Sequence, residues 1–456
     1  MTRDTRFAVH TLGCKVNQVE GEAIAETAVR LGVEPVEDTR RANVIVLNTC
    51  SVTRTADLEA GQMARRFRRE NPGAVIVVTG CYAQTRPAEA ARLPVDYVIG
   101  HGGKDTLARE IPILAARGCL GTPEVRVTKI LRDRRFPEFL LSDVPVTPRT
   151  RRFVKVQDGC DVFCSFCIVP QARGLPRSAG AEAILGEIHA RVSEGTREIV
   201  LTGPHIGSWG RDLDPPARLA DLLSLVRRGS GLSRVRVSSM EPSEFDEEVI
   251  REITDHPDVF CDHFHIPVQS GSDEVLRRMR RPHDVARYRA LLERLARALG
   301  DVGLGTDVIA GFPGETQAQF RETLALLEDL PISFFHIFPF SLRSGTPAAK
   351  YPGQVATEVI RERAARLRDL GRRKANAFRE RFVGRTLEVL LETPIPHASP
   401  EAGKEQRREI VMRGYSRNYI AVEARGTHLR TNEVRRVRIE AVSEDGNGAV
   451  RGRVLP

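Results

Sequence analysis

Three cysteines crowd one short stretch, Cys160-Asp-Val-Phe-Cys164-Ser-Phe-Cys167, directly after the strand-like run Phe153–Gln157. Soft thiolates at this spacing wrap a metal, and both iron–sulfur clusters and zinc accept them. A structural zinc site closes with a fourth Cys or His, and none lies nearby in sequence. Three thiolates leave one iron of a four-iron cluster open, free to take the amine and carboxylate of a small molecule. The spacing therefore favours an iron–sulfur cluster over zinc.

A second triplet is scattered in sequence but gathered by topology. Cys14, Cys50 and Cys81 each follow a strand-like run: Phe7–Leu12, Asn43–Leu47 and Ala74–Thr79. Helical patterns separate the runs, at Gln18–Leu31 and from the caps Ser51 or Thr53 to about Arg69. Strands alternating with helices predict a doubly wound parallel sheet. In such a sheet the strand ends share the edge where ligands bind, so the three thiols form a second three-ligand site. Cys119 and Cys261 lack such placement and read as ordinary thiols. Eight cysteines in all also permit disulfides, but in a long cytosolic chain clustered thiols more often bind metal. Cys261, His263 and His265 would share one strand face; polar packing at a barrel mouth is the commoner meaning, with zinc as the alternative. Gly100-His-Gly-Gly-Lys104 lacks the spacing and the Ser/Thr of a phosphate loop.

These elements imply three domains. Residues 1–120 form the N-terminal α/β domain, and the Pro- and Arg-containing stretch 121–150 reads as a linker. Within 151–382, strand-like runs at Phe153–Gln157, Glu198–Thr202, Arg234–Ser239, Phe264–Val268, Gly305–Ala310 and Phe334–Phe340 alternate with helices. Six such repeats predict a partial α/β barrel with its active residues after the strands' C-terminal ends. Beyond the basic helix Glu358–Phe382, the segments Thr386–Glu392, Arg408–Arg413, Tyr419–Ala424 and Val434–Val442 alternate as strands do. Residues 383–456 thus fit a small β-barrel.

The 456-residue chain carries a net charge of +9, from 62 Arg and 7 Lys against 60 acidic residues. A basic surplus suits polyanions such as nucleic acid. Residues 361–381 concentrate it, with nine Lys/Arg against three Asp/Glu, although a solvated helix face is the usual meaning of a charge run. Tyr415 and Tyr419 are placed to stack on bases or to pack. No run approaches a membrane span, and the start of the chain, Met1-Thr-Arg-Asp-Thr-Arg6, is not a signal peptide. A soluble, cytoplasmic protein is expected.

The motifs also resemble a family. Cys160-Asp-Val-Phe-Cys164-Ser-Phe-Cys167 is similar to the signature of the radical S-adenosylmethionine (SAM) superfamily. Thr11-Leu-Gly-Cys14-Lys-Val-Asn-Gln18, Asn48-Thr-Cys50-Ser-Val-Thr53 and Thr79-Gly-Cys81 resemble the N-terminal domain of the methylthiotransferases, and Gly384 to about Glu440 looks like their RNA-binding TRAM barrel. Pro170-Gln-Ala-Arg-Gly174, Ser238-Ser-Met-Glu-Pro242 and His265-Ile-Pro-Val-Gln-Ser-Gly271 extend the likeness over nearly the whole chain. The Gly13-Cys-Lys-Val-Asn17 start is similar to the bacterial branch that modifies N6-threonylcarbamoyladenosine beside the tRNA anticodon. Ser178-Ala179 departs from the family's frequent Ser-Arg, and Gly311-Phe-Pro-Gly-Glu315 fits the superfamily's adenine-contacting pattern only loosely.

The resemblance implies two 4Fe-4S clusters, on Cys160, Cys164 and Cys167 and on Cys14, Cys50 and Cys81, with S-adenosylmethionine as cofactor. The first cluster would reduce the cofactor to give a carbon radical able to break the inert adenine C2–H bond. The second would carry the sulfur that becomes the methylthio group. Thr202 and Gly203 are then candidates for the cofactor's amino group, and Glu241 and Gln269 for its other polar parts, each with a turn or supporting role as the alternative. tRNA and an electron donor of flavodoxin or ferredoxin type are the implied partners; no sulfur donor is indicated. Two other readings stay open: the same architecture acting on isopentenyladenosine or a ribosomal protein, and a non-enzymatic protein binding zinc and RNA.

Overall fold

The runs Val44–Thr49 and Val75–Gly80 are buried at every residue. Aliphatic strands covered on both faces belong inside a parallel sheet. The computed structural model, which describes residues 5–140, 149–395, 409–443 and 448–456, places them there. The sheet comprises β1 (Arg6–Thr11), β2 (Glu34–Pro35), β3 (Val44–Thr49), β4 (Val75–Gly80), β5 (Tyr97–Ile99) and β6 (Glu124–Arg126). All pairings are parallel, in the order β2-β1-β3-β4-β5-β6. Alternation sorts the side chains: Ile45, Leu47, Ile76 and Val78 pack with Ala60, Ala64 and Phe67 of helix Arg54–Glu70. Val44, Val46, Val75 and Val77 pack with helices Lys15–Arg30 and Lys104–Arg117 on the other face. The sheet is doubly wound, with six strands where the sequence pattern showed three. The extra strands are only two or three residues long, too short for a period to register. The segment read as a linker supplies β6, and within it Leu140 N–H donates to Thr27 Oγ1 at 3.0 Å; its residues 141–148 lie outside the described ones, as do Met1–Asp4.

The central region runs through β7 (Arg151–Lys155), β8 (Gln157–Asp158), β9 (Arg177–Ser178), β10 (Glu198–Thr202), β11 (Val235–Val237), β12 (His263–His265), β13 (Gly303–Ala310) and β14 (Phe334–Pro339). β7-β10-β11 and β12-β13-β14 are two parallel sheets. A parallel bridge at Val235 and Phe260 joins them, so six strands follow sequence order in an incomplete barrel. One apolar core runs from Val154 through Leu201, Val237, Phe264 and Leu304 to Leu367 and Leu370. The two residues of β8 pair with β9 in a separate antiparallel ladder.

Helix Thr357–Glu380 serves two cores. Its Ala364, Leu367 and Leu370 enter the central core, while Phe378, with Phe382 just beyond the helix, plugs the C-terminal one. That last core fills a closed barrel of β15 (Thr386–Pro394), β16 (Ile410–Ser416), β17 (Ala421–Gly426), β18 (Val434–Val442) and β19 (Ala449–Val454), in the order β15-β16-β17-β19-β18. The sequence pattern missed β19. It began one strand at Arg408, which lies outside the described residues, and another at Tyr419. Tyr419 is instead a turn residue with φ +67°, ahead of β17.

Phe382 is 1 % exposed, and its loss should leave a cavity between helix and barrel. Phe382→Ala is expected to cost about 3–5 kcal/mol, read as a lower urea midpoint for the full-length chain. An unchanged midpoint would show that the barrel does not depend on this plug.

Candidate active site

The three N-terminal cysteines sit where the strand order reverses, at the carboxyl ends of β1, β3 and β4. Cys14 precedes the helix Lys15–Arg30, Cys50 follows Thr49, and Cys81 opens the short helix Cys81–Thr85. Gly13, at φ +98°, lets the chain turn, and a Cβ there would stand 2.4 Å from Cys50 Cβ. The Asn17 side-chain amide donates to Leu12 O at 3.0 Å and Thr49 O at 2.9 Å, and Asn48 Nδ2 donates to Asn17 O at 2.8 Å. The loops are thereby tied together. Burial, with Cys81 nearby, pushes the Cys50 thiol up to about 12. Burial also raises Cys81, against the pull of Arg173 and Lys104.

The second triplet lies on a loop pinned at both ends. Gly159 N–H donates to Asp158 Oδ1 at 2.9 Å, Cys160 N–H to Gly174 O at 3.0 Å, and Ser165 N–H to Met279 O at 2.9 Å. Burial lifts the Cys167 thiol to about 12 and raises Cys160 and Cys164 too. Such thiols stay protonated in water near neutrality, whereas a bound metal ion inverts that preference and takes the thiolate. Among the described residues, two sets of three His, Cys, Asp or Glu donors lie within 4.8 Å of one another, and neither contains a cysteine. Zinc at about 2.3 Å from each sulfur would hold tetrahedral ligands roughly 3.8 Å apart. Neither triplet is drawn in to that spacing.

Arg281 connects this loop to Glu241, donating to Cys164 Sγ at 3.3 Å and to Glu241 Oε1 at 2.9 Å. Glu241 therefore stands beside the cysteine loop. Thr202 ends β10, and a Cβ on Gly203 would come within 3.0 Å of the Gln157 side chain. Gln157 Nε2 in turn donates to Asp158 O and Gly159 O, holding the turn after β10 against the root of the cysteine loop. Gln269 adopts φ +69°, a conformation that non-glycine residues rarely take. Its backbone continues beside β13 through Asp307 O and Ile309 N.

The two cysteine regions are joined by a buried network of charges that sequence reasoning missed. Glu20 meets Lys104 Nζ at 2.5 Å, Lys155 Nζ at 2.7 Å and Arg173 Nη1 at 2.9 Å. Asp158 meets Arg173 at 2.9 Å, Lys155 and His101 at 3.1 Å, and Arg177 at 3.3 Å. Arg173 Nη2 also donates to Asn17 Oδ1 at 2.6 Å. Burial would raise both carboxyls, yet the surrounding cations hold them well below the carboxylate range. Burial and Lys104 bring His101 down to about 4, leaving it neutral. Of these groups, Arg173 and Lys104 lie close enough to Cys81 to favour its thiolate. A second clamp works on the Cys50 loop: Arg343 Nη2 donates to Ser51 Oγ at 2.9 Å and Asp57 Oδ2 at 2.8 Å.

A cavity of about 840 Å³ is shared by all three domains. Cys14, Cys50 and Cys81 line it, as do Thr202 and Gly203, whereas Glu241 and Gln269 do not. It extends beyond the strand ends to residues within the strands. His265 Nε2 and His336 Nδ1 meet one oxygen of Asp307 at 2.7 and 3.2 Å, and Asp307 is held well below the carboxylate range by these bonds despite its burial. His263 stacks between Phe334, at 5.2 Å, and Tyr419, at 4.4 Å, with Tyr415 5.0 Å from Tyr419. Tyr415 and Tyr419 thus face the cavity. The zinc trio of Cys261, His263 and His265 does not form, because His265 turns to Asp307. The basic helix is also less free than its charge implied: Arg373 pairs with Glu328 at 3.1 Å, and Lys374 donates to Glu328 O and Leu330 O.

Comparison with known proteins accords with this geometry. Residues 6–100 match the model described as "Uncharacterized protein family UPF0004", and residues 154–327 that of the "Radical SAM superfamily". "Threonylcarbamoyladenosine tRNA methylthiotransferase MtaB" of Bacillus subtilis (strain 168) is 41 % identical over 95 % of this chain and 93 % of its own. A "tRNA-2-methylthio-N(6)-dimethylallyladenosine synthase" of Clostridium botulinum (strain Loch Maree / Type A3) is 33 % identical over 85 % of this chain and 86 % of its own. The solved radical S-adenosylmethionine methyltransferase TsrM of Kitasatospora setae, with cobalamin and a [4Fe-4S] cluster, shares the fold at a TM-score of 0.56. Its identity is 17 %, with 76 % of this chain and 77 % of that one covered. A radical SAM fold, a UPF0004 domain carrying its own cysteine triplet and near-full-length likeness to these enzymes lead to one assignment: the chain belongs to the family of the threonylcarbamoyladenosine tRNA methylthiotransferases.

Proposed function

We propose that this protein adds a methylthio group to C2 of N6-threonylcarbamoyladenosine beside the anticodon of tRNA. The observation that carries the reading is the pair of three-thiol sites, one in each of two domains, locked together by the network around Arg173. Cys160, Cys164 and Cys167 would hold the cluster that binds S-adenosylmethionine, and Cys14, Cys50 and Cys81 a second one. When bound, these groups supply a carbon radical for the C2–H bond, which acid–base chemistry cannot open, and the sulfur to replace the hydrogen.

The chain's own part is to bind, orient and exclude water. Thr202 and Gly203, at the end of β10, bind the cofactor's amino group. Glu241, held by Arg281 beside the cysteine loop, and Gln269 bind its other polar parts. The adenine enters the shared cavity, whose wall carries the aromatic stack of Tyr415, Tyr419 and His263. The closed C-terminal barrel serves as the RNA-binding module, and an electron donor of flavodoxin or ferredoxin type supplies the reducing equivalents. tRNA places the reaction in the cytoplasm; among the described residues no helix is long and apolar enough to cross a membrane.

Two experiments test this reading. Cys160→Ala should lose about half the iron of the reconstituted protein, because the other triplet lies in another domain. Cys50→Ala should also lose about half, yet still cleave S-adenosylmethionine to 5′-deoxyadenosine while forming no methylthio nucleoside in tRNA. Loss of all iron in either variant, or methylthio product from Cys50→Ala, would contradict the division of labour.

Arg173→Met should leave Glu20 and Asp158 short of their shared partner in a dry site. Breaking a buried pair in this way costs about 3–5 kcal/mol. Thermal unfolding should shift accordingly, and proteolysis should open the boundary between the first two domains. A variant as stable as the parent would show that the network does not hold them.

A further inference from the structure

Lys15 is the first residue of the helix Lys15–Arg30 and follows Cys14 directly. The positive end of a helix dipole repels an ammonium, and the first turn carries no acidic residue to offset it. Local folding therefore gives no reason for a lysine here. Its side chain lines the shared cavity, close to Tyr419, Arg236, Arg151 and Asp307. Each of those charges already has a partner: Arg236 pairs with Glu198 at 2.9 Å, Arg151 with Glu392, and Asp307 with two histidines. The Lys15 ammonium has no hydrogen bond or ion pair among the described residues. Among the described residues, Asp307 is the one acidic residue lining the cavity, against Lys15, Arg173, Arg379 and Arg413.

A second group in the same cavity also lacks a partner. His263 is 4 % exposed, and neither ring nitrogen is hydrogen-bonded to a described residue. Buried polar groups are normally satisfied, and an orphan next to a cavity marks the place of a ligand atom. The ligand must therefore combine an aromatic face for Tyr415 and Tyr419, neutral polar atoms for His263 and an anion for Lys15. At about 840 Å³ the cavity is of the size that accepts a whole nucleoside.

Resting on the substrate reading above, we propose that Lys15 pairs with the carboxylate of the threonylcarbamoyl group, with His263 bonding that group's neutral polar atoms. Lys15 then sets specificity. A dimethylallyl group offers neither charge nor hydrogen bond, and a site built around an ammonium gains nothing from it.

The test uses the reconstituted full-length protein and two anticodon stem-loop RNAs. One carries N6-threonylcarbamoyladenosine and the other its carboxylate methyl ester, which removes the charge and adds one methyl group. Wild-type protein should prefer the acid by roughly tenfold or more in kcat/KM and in RNA Kd, the worth of one charge-assisted hydrogen bond. Lys15→Gln should lose that preference through KM on the acid and behave as wild type on the ester, with iron content and RNA-free 5′-deoxyadenosine formation unchanged. Lys15→Arg should recover much of it. Equal wild-type rates on acid and ester, or an equal loss on both RNAs in Lys15→Gln, would overturn the inference. Wild-type protein that modifies dimethylallyladenosine RNA and neither of these two would overturn the substrate reading itself, and the inference with it.

Discussion

Two carboxylates, Glu20 and Asp158, sit out of water inside a shell of Lys104, Lys155, Arg173 and Arg177, and the geometry of the site depends on them. Glu20 and Lys104 belong to the N-terminal domain; the others belong to the partial barrel. Charges removed from water repay their desolvation only in good geometry, and such groupings are weak sources of net stability. What they provide here is a single relative placement of two domains. Any sliding of the helix Lys15–Arg30 across β7 and β8 would strand a bare charge in a dry interior. The helix that starts beside Cys14 and the loop that carries Cys160 thus cannot move independently. Arg173 is the pivot: it ends a short helix just beyond Cys167, bonds both carboxylates and Asn17, and lies close enough to Cys81 for each to shift the other's ionisation.

The rest of the molecule encloses what the network aligns. Arg343 reaches from the central domain to the Cys50 loop. The C-terminal barrel docks through Arg417, which donates to Pro257 O and Phe260 O, and through Arg236, which donates to Arg417 O. That docking brings Tyr419 against His263 and Tyr415 beside Tyr419, so the C-terminal barrel also supplies part of the cavity wall.

The placement of the cysteines was legible in the sequence because it follows from local pattern. Cys160, Cys164 and Cys167 share one loop, and Cys14, Cys50 and Cys81 each follow a strongly apolar strand. β3 and β4 were equally plain, being buried on both faces. The short β2, β5 and β6 gave no periodic signal, and β19 was missed as well. The charge network was invisible because its members lie far apart in sequence and the set closes only where the two domains meet. His101 and Lys104, set aside when Gly100–Lys104 failed as a phosphate loop, proved to be members of it. Arg373 and Lys374 have partners that their charge run did not foretell: Glu328 and the end of a neighbouring helix engage them. His336 and Asp307 carried no signal until the strand register set them beside His265.

Two cysteine triplets are held in one fixed arrangement by the Arg173 network, the N-terminal one lining the shared cavity. An anaerobic crystal structure of the reconstituted protein, with anomalous scattering measured at the iron edge, tests it most directly. Two iron sites are expected, one bonded by Cys14, Cys50 and Cys81 and the other by Cys160, Cys164 and Cys167, with the Arg173 network intact between them. Iron at one triplet alone, or both triplets converging on a single metal centre, would contradict it.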